Sequence, residues 1–218
     1  MKRFATLAVL SVIGLVLGAG AAWAQTKPAD PDGRFSAQFT LAATLGHKSS
    51  GAVGGELDYR FNDDWDFFFE AGRMSNVASS ALDARAQIIA NAIGASTSLV
   101  QRAAYFDVGG RYRLMARGRW DPYVMLGFGA ASVKTRTNFS INGVDVTNGD
   151  LVRVGTDLAG TLAKPFLTIG AGATMPFKHR YFVDLSYRYG RIFARTSQIE
   201  NDNGVNTQRV QLGVGVKF

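Results

Sequence analysis

The chain holds two histidines, His47 and His179, and no cysteine. His47 stands two residues before Ser49 and three before Ser50, a spacing that could set a base beside a serine nucleophile. A serine hydrolase also needs its imidazole oriented by a third group. No acid in the surrounding sequence is obviously placed for that task, so an ordinary histidine is the simpler reading. Without thiols, disulfide staples, thiolate nucleophiles and thiolate metal sites are excluded. Glu200-Asn201-Asp202-Asn203-Gly204 and Asp30-Pro31-Asp32-Gly33 are rich in oxygen donors. Neither completes a twelve-residue calcium loop with its closing glutamate, and turn chemistry accounts for both. The sequence predicts no catalytic residue, no cofactor and no metal site.

The remaining charges follow a period of two. Glu56, Asp58, Arg60, Asp66, Glu70, Asp107, Arg111, Arg113, Asp184, Arg188 and Lys217 alternate with large apolar residues and are interleaved with glycine. Side chains alternate sides along a strand, so each such segment has one charged face and one apolar face. Eight segments read this way: about 34–47, 52–61, 65–74, 102–114, 120–134, 165–175, 181–192 and 209–218. In the last of them Val210, Leu212, Val214, Val216 and Phe218 share a face opposite Gln211, Gly213, Gly215 and Lys217.

Turns 62–64, 115–119 and 176–180 are short, while connections 75–101, 135–164 and 193–207 are long; only the first outer connection, His47 to Gly51, is brief. Within 75–101, Ser80 is a candidate cap, Leu82, Ala86, Ile89 and Ile93 recur at helical spacing, and Gly94 can end the helix. Within 135–164, Phe139 to Val146 carries an Asn-Gly hairpin signal.

No apolar run after the N-terminus is long enough for a membrane-spanning helix. Residues 1–24 read as a cleaved export signal: Lys2 and Arg3, an apolar core from Phe4 to Leu17, and the small-x-small Ala22-Trp23-Ala24. Residues 25–33 form a flexible leader, and 34–218 a single domain. The formal charge of +7 and pI near 9.9 come without a basic run. They fit anionic lipid headgroups better than nucleic acid, whose readers gather their bases into stripes.

The apolar faces could point inward, around a soluble ligand cavity, or outward into lipid. Charges of nearly balanced sign interleaved with glycine suit a narrow ion-paired interior. Trp65, Trp120, Tyr112, Phe177, Tyr181 and Phe218 by the turns, with Tyr189 nearer the other rim, suit two interfacial girdles. The predicted fold is all-β: an eight-stranded antiparallel up-and-down transmembrane barrel, with a short helix in the second extracellular loop. Eight strands enclose a space that side chains just fill. Continuing the outward register past the outer strand ends gives Arg73, Arg102, Lys134 and Arg191. At mid-bilayer each would cost about 2–4 kcal/mol, against about 0–1 at the interface. They are therefore expected at the outer rim, meeting lipopolysaccharide phosphates or extending into water.

The Trp120-x-Pro122-Tyr123 entry to a glycine-rich strand, the segment Asp184-Leu-Ser-Tyr-Arg-Tyr-Gly190 and the terminal alternation ending in Phe218 resemble the small eight-stranded outer-membrane barrels of Gram-negative bacteria. These are the OmpA-like, OmpX-like and opacity or surface-antigen families. The resemblance implies a monomer with a periplasmic N-terminus, and Phe218 in the signal read by the barrel-assembly machinery. It does not extend to an OmpA-type peptidoglycan-binding domain. These architectural signatures identify no activity; the long loops on a rigid scaffold point to a structural or surface-interaction role: membrane integrity, adhesion, or host and environment contact through extracellular loops. The alternatives are a narrow channel for ions or small solutes and a lipid A-modifying enzyme. His47-x-Ser49 is similar in spacing to one lipid A deacylase pattern, but it stands on the first strand rather than near the C-terminus.

Overall fold

The computed structural model describes residues 33–114, 119–147, 160–178, 180–193 and 204–218. The export signal, the leader before Gly33, His179 and the oxygen-rich stretch from Glu200 to Asn203 lie outside the described residues. The strands are β1 (Phe35–Leu45), β2 (Ser50–Arg60), β3 (Trp65–Met74), β4 (Ser96–Arg113), β5 (Asp121–Ile141), β6 (Val144–Asp145), β7 (Gly160–Phe177), β8 (Tyr181–Ile192) and β9 (Val205–Lys217). One helix, α1 (Ser80–Ala92), joins β3 to β4.

Every pairing is antiparallel. The order runs β4-β3-β2-β1-β9-β8-β7-β5, and β4 pairs with β5 to close the cylinder. Closure leaves the barrel with no exposed edge, the condition for strands to cross lipid. The start of β1 meets the end of the chain: Phe35 donates its N–H to the Phe218 carbonyl at 3.2 Å, and Phe218 donates to the Phe35 carbonyl at 2.9 Å. The β6 segment belongs to a small outer hairpin, not to the barrel wall.

The alternation sets which face goes where. Phe39, Leu41, Leu57, Phe67, Phe106, Leu126, Phe128, Ile169, Leu212 and Val214 are all exposed on the outside. The charged and glycine positions between them point inward. Large inward rings fit because they lie over inward glycines of neighbouring strands. A Cβ at Gly172 would sit 2.6 Å from Tyr123 Oη, and one at Gly72 would sit 2.7 Å from Tyr105 Oη. This is close approach of a side chain to bare backbone, a standing reason for glycine in a strand.

Two kinds of difference from the sequence expectation appear, in strand extent, where β7 begins at Gly160 rather than 165 and β9 at Val205 rather than 209, and in the helix cap. β4 begins six residues before position 102, and β5 runs seven past position 134, so much of both long connections is strand. There the inward residues Gln101, Thr135 and Thr137 and the outward residues Ser98, Arg102, Arg136 and Asn138 are all polar. Apolar residues thin out there, with Leu99 and Phe139 inward and Val100 outward, although pairing continues from Ser96↔Ser140 to Arg113↔Tyr123. The second difference is the helix cap, which is Ser79 rather than Ser80: its Oγ accepts the Leu82 N–H at 3.3 Å. Ala86 and Ala90 are the buried side of α1, and Ala90 packs on the buried Phe139 of β5. The Asn142-Gly143 hairpin is present, with φ of 49° and 82° as a type I′ turn requires.

Candidate functional site

At mid-bore, the sheet register stacks three acids on one wall and two arginines on the other. Glu56 of β2 lies directly opposite Glu70 of β3, and Glu70 directly opposite Asp107 of β4. On the far wall Arg188 of β8 lies directly opposite Arg209 of β9. Like charges facing each other across a strand pair are destabilising, so each rung needs the other. Arg188 supplies the bridge, donating Nη2 to Glu56 Oε2 at 2.7 Å and Nη1 to Glu70 Oε2 at 2.6 Å. Arg209 reaches Glu70 Oε1 at 3.2 Å, and Tyr105 Oη donates to the same oxygen at 2.8 Å. Arg111 donates to Glu56 and stands 3.4 Å from Asp58 Oδ1. The guanidinium carbons of Arg111 and Arg209 lie 4.2 and 4.5 Å from the ring centroids of Tyr123 and Tyr105.

Nearer the turns, Arg113 Nε donates to Asp66 Oδ2 at 2.7 Å, with Arg60 Nε 3.8 Å from Asp66 Oδ1. Asp184 accepts from Tyr123 Oη at 2.7 Å and from Thr174 at 3.2 Å. Lys217 is buried at this end of the bore beside a small vestibule lined by Asp58, Asp66, Arg111 and Tyr123. All eleven interior charges expected from the sequence point into the bore, with Arg60 and Arg113 only partly buried. The sequence reading omitted Arg209, which lies in register with Gln211 and Lys217 and is wholly buried.

It also missed the tier above. Toward the loops lies a largely apolar layer: Ala52, Met74, Ala103, Tyr105, Ala131, Val133, Phe166, Ile192 and Val205 form one buried cluster, joined by Val77 from the connection after β3, with Lys164 buried directly opposite Ala131.

At the loop end, His47 meets an acid the sequence did not suggest. Its Nε2 lies 3.0 Å from Asp83 Oδ2 of α1, and Lys48 Nζ donates to Asp83 Oδ1 at 2.7 Å. Thirty-six residues separate His47 from Asp83, and only the folding back of α1 joins them. The hydrogen bonds from Lys48 and His47 hold the Asp83 carboxyl below the ordinary carboxylate range. Ser50 is turned elsewhere: its Oγ contacts Thr44 Oγ1 at 2.7 Å and donates to the Asn76 carbonyl at 2.9 Å.

The rim bases divide into two groups. Arg102 of β4 stands directly opposite Lys134 of β5, and Arg73 of β3 opposite Ala104, two residues from Arg102. All three are exposed. Arg191 on β8 is separated from them by β7 and donates to Asn206 Oδ1 of β9 at 2.5 Å. Arg136, opposite Val100, continues the first group. The sequence reading passed over it because the fifth strand was ended at 134.

A closed eight-stranded barrel with an apolar outside, a charged inside and short turns at the end where its termini meet has one matching family. The family model described as outer membrane protein beta-barrel domain matches residues 8–218. The chain belongs to this family. It is a bacterial outer-membrane barrel, and the short-turn end is the periplasmic one in such barrels.

Among solved structures, the neisserial surface protein NspA matches with a TM-score of 0.53 at 14% identity, over 84% of this chain and 96% of that one. The N-terminal barrel of Pseudomonas aeruginosa OprF matches with a TM-score of 0.51 at 16% identity, over 86% and 100%. OprG of the same organism gives 0.51 at 14%, over 87% and 97%. Identities this low speak to the fold alone. No curated protein matches the sequence.

Proposed function

We propose that this barrel is closed, monomeric and non-catalytic, and that its outer surface carries its role in membrane integrity and contact with the environment. One observation carries the reading. Two tiers of buried side chains fill the bore, the facing acid and base rungs below and the Met74–Phe166–Ile192 cluster above. A small barrel whose interior is packed in this way supports no aqueous channel. What extends beyond the lipid is the long β4–β5 ribbon with α1 against it, a rigid scaffold of the kind that presents contact residues. Planar-bilayer recording of the purified barrel is expected to give no reproducible conductance steps, and discrete steps would defeat the closed reading in favour of a narrow channel.

A hydrolytic reading draws on the His47–Asp83 contact, which supplies the orienting acid. Against it, Lys48 shares that carboxylate, the Ser50 hydroxyl is committed to Thr44 and Asn76, and exposed Ser49 makes no hydrogen bond to His47. Lipid A extracted from cells that overexpress the protein is expected to be unchanged; a deacylated species lost on His47→Ala would overturn the non-catalytic reading.

A further inference from the structure

From the outward face of β3, β4 and β5 we infer a phosphate-binding cleft for an outer-leaflet glycolipid headgroup, formed by Arg102, Lys134 and Arg136. Three features support it. The cleft has a volume of about 120 Å³ and is lined by Ser98, Val100, Arg102, Lys134, Arg136 and Asn138. Arg102 and Lys134 face each other directly across the strand pair, with Arg136 one outward position further on and Arg73 one outward position nearer the membrane. None of the four cations forms an ion pair among the described residues.

Like charges placed opposite one another are unfavourable unless something negative lies between them. In the bore, acids of the chain itself fill that place. On this face the described outward residues of β3 to β5 include no acid, so no carboxylate of these strands supplies the counter-charge. Arginine forks with a neighbouring hydroxyl and amide make a good donor set for a tetrahedral anion.

The height of the cleft favours a lipid phosphate over a free one. The outward face is apolar up to Phe106 and Ala104 on β4 and to Phe128 and Ala130 on β5. Arg102 is the next outward residue after Ala104, about 7 Å along the strand, so the cations begin where acyl chains give way to headgroups. No Trp or Tyr stands on this outer stretch of the three strands, where an aromatic girdle would otherwise sit. Val100 adds an apolar wall for a sugar or acyl stem. Arg191 is apart from this cleft and donates to Asn206, so it serves as an internal control.

The inference goes beyond the closed-barrel proposal and stands whether or not the bore conducts. The test is native mass spectrometry of the detergent-solubilised barrel with diphosphorylated lipid A, with the same lipid after phosphatase treatment, and with inorganic pyrophosphate alone. The wild type is expected to retain one phosphorylated lipid and to bind the dephosphorylated form at least about tenfold more weakly, in line with charge-assisted hydrogen bonds. The triple variant Arg102→Gln/Lys134→Gln/Arg136→Gln should lose that preference, and Arg191→Gln should keep it. Equal binding of both lipids, or an unchanged preference in the triple variant, overturns the proposal. Pyrophosphate held as tightly as the lipid would overturn the headgroup assignment and make the site one for soluble phosphate. Heat-modifiability gels check that each variant is folded; if the triple variant is not, Arg136→Gln, outermost of the three, carries the comparison.

Discussion

Arg188 and Arg102 are the same residue type on the same barrel, yet one is sealed in the bore and the other stands exposed outside it. Arg188 is held by two carboxylates placed by strand register, while Arg102 faces another cation. Which side of the wall a charge occupies is decided by whether its position is odd or even in the strand. What that charge does then depends on the rung opposite. Inside, complementary rungs close the cylinder; outside, an uncompensated rung is available to something in the membrane.

The comparison is broken most severely from the inside. Arg188→Met removes the bridge between Glu56 and Glu70 and leaves two buried carboxylates face to face. It is expected to cost about 3–5 kcal/mol, as for other buried pairs that lose one partner, read as a lower urea midpoint in micelles. Moving a charge to the lipid side comes next. Phe128→Arg, in the middle of the apolar belt, should cost about 2–4 kcal/mol, and the loss should shrink for the same substitution at Ser132, nearer the rim.

Adding bulk inside without charge is milder. Gly172→Val pushes on the Tyr123 hydroxyl and its bond to Asp184, at about 1–3 kcal/mol for overpacking, with a shift in tyrosine fluorescence or absorbance as a second readout.

The smallest effect belongs to the loop end. The Asp83 carboxyl is held below its ordinary value, so the stabilisation it gives to α1 is present above the ordinary carboxylate range. It is lost as pH falls through the depressed folded value. Asp83 is partly exposed at the loop end, and the effect is weakened by solvent screening. Protection factors of the amides of residues 80–92, taken relative to intrinsic exchange at each pH, should fall on acidification, and in Asp83→Asn they should be low at every pH.

The legibility of these regions differs for physical reasons. Wherever one face met lipid, the period of two was unmistakable, and Phe39, Leu57, Phe128 and Leu212 were placed correctly with their inward neighbours. Beyond the membrane both faces of the ribbon are mixed, with Leu99 and Phe139 among the inward polar residues and Val100 among the outward ones. Nothing in Thr135-Arg136-Thr137-Asn138 marks a strand, so β5 was ended too soon and Arg136 was lost with it. Arg209 needed only one more step of the alternation that had placed Gln211 and Lys217 inside.

An ion-paired interior was legible from the balance of signs, but which acid meets which base was not. Glu70 and Arg188 are 118 residues apart, and only closure of the barrel brings them together. The apolar upper tier was missed for the opposite reason: Met74, Ile192 and Val205 lie at strand ends, where an inward apolar residue cannot be told from a loop residue by spacing. His47 and Asp83 likewise meet only through the docking of α1.

The central claim is that opposed rungs of charge hold the cylinder shut, and a double-mutant cycle on Glu70→Gln and Arg188→Met tests it most directly. Urea unfolding of the two single variants and the double variant in the same micelles gives the coupling. Facing rungs predict a double variant less destabilised than the sum of the singles by more than about 1 kcal/mol. Single-variant losses that add to within about 0.5 kcal/mol would contradict it.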